Sequence, residues 1–126
     1  MTGGRRLPET GRLLRGLAFS HAAVGLAIYR RELRAIVGDG VANAVPYRGP
    51  KATAFWFLMP SPPIWLVGRL LSSAERAGDV EAVRAVNRVG AACAAVAVVC
   101  MPVSGFWGLL AISLRGLWHA RHAAGR

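Results

Sequence analysis

Three long stretches without a charged side chain limit what this chain can become. Fourteen uncharged residues run from Gly16 to Tyr29, seventeen from Ala52 to Gly68, and twenty-six from Val89 to Leu114. A membrane-spanning helix needs roughly 20 mostly apolar residues. The first stretch reaches that length when it starts at Leu13 and Arg15 snorkels toward the headgroups. The second reaches it by taking in Leu70 and Leu71. The third is long for one helix and short for two. Met101-Pro102-Val103-Ser104-Gly105 lies in its middle, where proline removes a helical hydrogen bond and glycine relaxes the turn. A tight hairpin is therefore expected. The sequence predicts an all-α fold, an integral membrane four-helix bundle in a single domain over residues 1–126. Its helices fall at about 13–37, 52–71, 83–101 and 106–122.

Composition agrees with that expectation. The chain is 54% hydrophobic and 17% charged, against roughly 25% charged for an ordinary soluble domain. Its 16 Lys+Arg against 6 Asp+Glu would suit nucleic acid only if gathered on one soluble face beside stacking aromatics. Here the arginines sit at the ends of apolar runs, which excludes nucleic acid as a partner and points to the lipid bilayer. With four spans, one side collects Arg5, Arg6, Arg12, Arg15, Arg69, Arg76, Arg84, Arg88, Arg115, Arg121 and Arg126. The other holds Arg30, Arg31, Arg34, Arg48 and Lys51. Three spans would divide the basic residues evenly, so the positive-inside bias favours four, with both termini cytoplasmic. A multi-pass protein of the cytoplasmic membrane follows. Arg15 interrupts any signal-peptide core, and Arg30, Arg31 and Arg34 anchor a retained helix.

Small residues mark expected helix contacts. Ala18, Ala22 and Gly25 share a face of helix one, and the third helix is rich in Ala and Gly around residues 90–97. Such residues let membrane helices approach closely, so the third helix is expected at the centre of the bundle. Cys93 and Cys100 lie two turns apart, too far for a disulfide, and are expected as small buried hydrophobes. Pro60, Pro62 and Pro63 interrupt helix two. This Pro-broken second helix must kink or unwind, and broken helices at membrane depth are often where pockets form.

Candidate chemistry is sparse. His21 is the central residue of Leu13–Tyr29, and an ionisable group at midplane must face the bundle. It either makes an interhelical hydrogen bond or handles a proton or ligand. Asp39, between Gly38 and Gly40, is either a turn or cap residue or an acid or base at a cavity mouth. Asn43 lies one turn later. Trp56 and Trp107 are either interfacial anchors or the lining of a pocket, and Trp118 is an anchor. Glu75, Arg76, Asp79, Glu81 and Arg84 are expected in a solvated loop. His119 and His122 lack a carboxylate or cysteine to complete a metal site. No metal and no cofactor are expected.

Gly11-Arg12-Leu13…His21, Asp39-Gly40-Val41…Asn43-Ala44-Val45, Ala54-Phe55-Trp56-Phe57-Leu58 and Met101-Pro102-Val103-Ser104-Gly105-Phe106-Trp107 together carry a likeness. The chain resembles a family of small four-span bacterial membrane proteins catalogued only as a domain of unknown function. The resemblance covers about residues 11 to 118. It implies a compact four-helix membrane bundle and no established activity. The departure is Pro60-Ser61-Pro62-Pro63, where family members carry aliphatic residues and glycine.

Two functional expectations follow. The first is a small polytopic membrane protein of unassigned activity, acting as a homo-oligomer or as a subunit of a larger membrane complex. The second is a membrane-embedded acid–base enzyme, an isomerase or cyclase acting on a lipophilic metabolite such as an isoprenoid. His21 and Asp39 would then move protons, and Asn43, Trp56 and Trp107 would line the pocket. A small transporter fits poorly, because four helices without repeats leave little room for alternating access.

Overall fold

The computed structural model describes residues 9–124, and these residues form an all-α protein without strands. Helices α1 (Thr10–Ile28) and α2 (Arg30–Gly38) follow one another across Tyr29. Helices α3 (Pro50–Leu58) and α4 (Ser61–Ala77) follow one another across Met59 and Pro60. Helix α5 (Val80–Cys100) and helix α6 (Phe106–Ala124) are joined by residues 101–105. Met101 leaves helical geometry at φ −137°, ψ 77°, one residue before Pro102, because proline disfavours the helical conformation in the residue before it.

Two antiparallel pairs make the body of the molecule. In the first, Gly11 of α1 meets Ser72 of α4, Arg15 meets Gly68, and His21 meets Ser61. In the second, Asn87 of α5 meets Gly116 of α6, and Gly90 meets Ser113. The pairs touch where α1 meets α6, with Leu17 against Gly108, and where α4 meets α5. Leu71, Val83 and Ala120 form a buried apolar cluster flanked by Ala74, Val80 and Val86. Thr10 is tied to Glu75 at the same end. The start of α1 and the later part of α6 therefore lie at one end of the bundle.

The turn between the pairs is short. Gly78 takes the left-handed conformation, φ 73°, which glycine adopts without a Cβ penalty. Asp79 then caps α5, its Oδ1 accepting the Ala82 N–H at 2.9 Å. Helix therefore fills most of the segment expected as a solvated loop, and Glu75 within it is buried. The alternation of charges there reads as solvent-facing, but Glu75 points at the neighbouring helix.

Two further expectations change. Helix α5 is not central: it packs chiefly on α6 and less on α4, and Val89, Val96 and Val99 stand exposed. Helix α1 instead touches α2, α3, α4 and α6. Small residues permit close approach on one face, and that does not fix how many neighbours a helix has. Cys93 and Cys100 are both exposed rather than buried. Among the described residues one helix, α5, is long and apolar enough to cross a membrane. Helix α6 carries Arg115 and Arg121 within its 19 residues, and the second expected span is divided between α3 and α4.

Candidate functional site

At the junction of α3 and α4 the chain keeps a helical path while its helical bonding is interrupted: Met59 N–H still donates to Phe55 O at 3.0 Å. Met59 (φ −56°, ψ −31°) and Pro60 (φ −67°, ψ −21°) both hold right-handed helical angles. In a helix each carbonyl accepts from the N–H four residues later. For Trp56, Leu58 and Met59 that residue is Pro60, Pro62 or Pro63, and proline has no N–H. Three of the four carbonyls from Trp56 to Met59 therefore lack their helical donor. The first bond beyond the gap is Ile64 N–H to Pro60 O at 3.0 Å.

His21 of α1 faces this junction. Its Nδ1 shares a 3.0 Å hydrogen bond with Ser61 Oγ, the ring tautomer setting which of them donates. Ser61 is buried. The imidazole stacks on Phe57 with centroids 4.4 Å apart and planes 10° from parallel, and Tyr29 packs on the same Phe57 at 5.2 Å. One turn beyond His21, Gly25 opens the space that Phe57 and Leu58 fill. A Cβ there would lie 2.5 Å from Leu58 Cδ2.

Beside the His21–Ser61 pair a groove of about 320 Å³ runs between α1 and the first turns of α4. Ala18, Ala22, Ser61 and Pro62 line it together with Phe19 and Trp65. Of these only Ser61 and Trp65 carry a polar side-chain atom, and the serine hydroxyl is engaged by His21.

The other expected site residues lie elsewhere. Asp39 ends α2 and forms an ion pair with Lys51 at the start of α3. Eighteen positions separate it from His21, roughly 27 Å of helical path at 1.5 Å per residue. A depression of about 550 Å³ between α2 and α3 is lined by Arg31, Glu32, Ala35, Pro46, Pro50 and Lys51, and Asp39 meets it through Lys51. Asn43 is exposed in a turn at φ 57°, a conformation asparagine tolerates better than most residues. Trp56 is exposed and packs edge-on to Phe55. Trp107 is also exposed, and its Nε1–H donates to Pro102 O at 2.9 Å, bracing the α5–α6 loop. The groove's aromatic walls are Phe19 and Trp65 instead. Among the described residues no three His, Cys, Asp or Glu gather as a metal site would require.

Sequence reasoning missed Ser61 as the partner of His21, although Pro60-Ser61-Pro62-Pro63 offered the one polar side chain at the break. It also missed Glu75. That carboxylate accepts the Thr10 N–H at 2.8 Å and the Gly11 N–H at 3.2 Å. It thereby caps α1, whose own N-cap position, Glu9, makes no side-chain cap bond. Glu75 lies beyond the apolar run that ends at Leu71. Burial pushes its carboxyl above the ordinary range, and the hydrogen bonds from Thr10 and Gly11 pull only partly against that.

Helical pairs closed by glycine, serine and one buried asparagine place the chain among all-α proteins built by small-residue packing. By sequence it belongs to a family of unknown function, DUF6463, whose model matches residues 5–123. No curated protein and no solved structure matches it.

Proposed function

We propose that this chain is a four-span integral membrane protein whose α1, α3–α4, α5 and α6 cross the bilayer, with both termini on the cytoplasmic side. The observation that carries the proposal is the number of large apolar side chains that face outward while small and polar ones occupy much of the interior. Beside Leu14, Leu71, Val83 and Val98, glycine, alanine, Thr10, Ser72, Glu75, Asn87 and Ser113 fill the helix contacts. Phe19, Leu26, Trp56, Leu66, Leu70, Val96, Val99 and Trp107 face outward. So many exposed large apolar side chains are a liability in water, whereas small residues between helices and large apolar ones outside suit lipid. The shared end of α1 and α6 supports a common side for the termini, and the arginine count assigns that side to the cytoplasm. The exposed α5 face bearing Val89, Cys93, Val96 and Cys100 is open to a second copy or to a larger membrane complex.

The test is extraction and sidedness. The protein should stay with membranes at alkaline carbonate and leave only with detergent. Reporters fused to either terminus should report the same compartment; opposite compartments, or release by carbonate, defeat the proposal. A second reading is a membrane-embedded acid–base enzyme acting on a lipophilic metabolite. The hydrogen-bonded His21–Ser61 pair beside an apolar groove favours it, with Ser61 rather than Asp39 as the group that shares a proton with His21. Turnover lost in both His21→Gln and Ser61→Ala, with thermal stability kept, would support this reading.

A further inference from the structure

Side chains four residues apart on a helix share a face, and that spacing extends the groove between α1 and α4 toward the end where Thr10 meets Glu75. Phe19 and Trp65 are the groove's aromatic walls. Arg15 precedes Phe19 by four residues, and Arg69 follows Trp65 by four. Because α1 and α4 run antiparallel, both steps lead to the same end, each about 6 Å along the axis. The Arg15 stem lies across Gly68, where a Cβ would come within 2.8 Å of its Cγ. The Arg69 guanidinium stands 5.7 Å from the Trp65 ring centroid. The two arginines thus continue the two walls of the groove.

Neither arginine has an ion-pair partner among the described residues. The ion pairs there join Arg12 to Glu9 and Lys51 to Asp39, and Glu75 is engaged by the Thr10 and Gly11 amides. Arg15 is half-buried, and its Nε is enclosed without a hydrogen-bond partner. Packing over Gly68 therefore holds this side chain in place while its charge goes unanswered. We infer that this face binds an anionic phospholipid, one acyl chain along the groove between Phe19 and Trp65 and the phosphodiester between Arg15 and Arg69. The inference rests on the membrane placement proposed above, which puts these arginines in the cytoplasmic leaflet. Basic residues at the cytoplasmic ends of membrane helices attract anionic headgroups, and guanidinium groups match phosphate oxygens in pairs. A free phosphate would leave the groove unused, and an uncharged lipid would leave the arginines unused. Phosphatidylcholine would bring a cation of its own to a pair of cations.

The experiment uses the full chain in phosphatidylcholine nanodiscs doped with phosphatidylglycerol that bears a photoreactive diazirine on one acyl chain. Labelling should saturate and map to the peptides holding Phe19 and Trp65. Unlabelled phosphatidylglycerol should compete about ten-fold better than added phosphatidylcholine, or more. Arg69→Gln, at an exposed position where packing is untouched, should cut that preference about three-fold. Arg15→Gln combined with it should abolish the preference. Arg115→Gln removes the same charge from α6 in the same leaflet and should leave the preference unchanged. Ala22→Leu, which fills the groove and spares both arginines, should cut labelling of the Trp65 peptide.

An equal loss of preference in Arg115→Gln and Arg69→Gln overturns the inference, since attraction to the whole leaflet would then account for it. So does equal competition by the two phospholipids, which would mean that any acyl chain occupies the groove. Displacement of the label by inorganic phosphate overturns it as well, because the site would then be one for a free anion. Unsaturable labelling of a carbonate-resistant protein defeats this inference alone. Release of the protein by carbonate defeats the membrane placement first, and this inference with it.

Discussion

In the α5–α6 pair, Gly90 faces Ser113 and Gly116 faces Asn87, and both helices run unbroken. In the α1–α4 pair, Gly11 and Gly68 bring the two backbones together, but the second helix is preceded by a junction without regular bonding. A Cβ at Gly11 would stand 2.5 Å from the Gly68 carbonyl and from the Ser72 amide, both backbone atoms. At Gly90 it would meet only the Ser113 side chain, its hydroxyl at 2.6 Å. The first pair is thus locked backbone to backbone and the second side chain to backbone. The locked pair is also the one that holds the His21 pair and the groove. A site at an interrupted helix needs its flanks fixed, and the tight α1–α4 contact fixes one of them.

The largest expected effect comes from breaking that lock. Gly11→Val should destabilise the protein by about 3 kcal/mol or more, since no side chain can swing aside to relieve the clash. Thermal unfolding in detergent would measure it. Next is Glu75→Ala, which leaves the Thr10 and Gly11 amides without their acceptor and should cost about 2 kcal/mol. Glu75→Gln keeps an acceptor and should cost less than half as much. The raised carboxyl adds a pH signature with a fixed sign. Its contribution to stability is present below the ordinary carboxylate range and is lost as pH climbs through the raised value. The melting temperature of the parent relative to Glu75→Gln should therefore fall from acidic to neutral pH; a rise would reverse the assignment.

Smaller effects sharpen the comparison. His21→Leu removes the bond to Ser61 and, with the helices in lipid as proposed, should cost about 0.6 kcal/mol, the average for such interhelical bonds. His21→Gln, which can still reach the hydroxyl, should recover most of that. The smallest effect is expected in the second pair. Gly90→Ala should change stability by less than about 1 kcal/mol, because rotation of Ser113 can make room. If Gly90→Ala proves as damaging as Gly11→Val, the contrast between the two pairs is wrong.

The local punctuation of the fold was legible. Pro102 marks the end of α5, and Pro60 marks the gap between α3 and α4, because proline acts on its own turn wherever the chain goes. The Gly78-Asp79 stop and start was equally readable as a left-handed terminator followed by a cap, yet the alternating charges around it suggested a loop. What escaped depends on partners far apart in sequence. Ser61 lies 40 residues from His21, and Glu75 lies 65 from Thr10; no periodicity within one helix announces such pairs. The position of α5 escaped for a different reason. Alanine and glycine show that a face can be approached, whereas the number of neighbours depends on the lengths and breaks of the other helices. For the candidate site, the proline break and His21 were visible separately, and only the three-dimensional arrangement brings them together.

The Glu75 cap also orders events in time. The amides of Thr10 and Gly11 open α1, and their acceptor is synthesised dozens of residues afterwards. Until α4 arrives, α1 begins with donors that only solvent or headgroups can answer. Arrival of α4 is then the step at which the start of α1 becomes anchored, so a nascent chain stalled before Glu75 should expose its α1 terminus to hydrogen exchange.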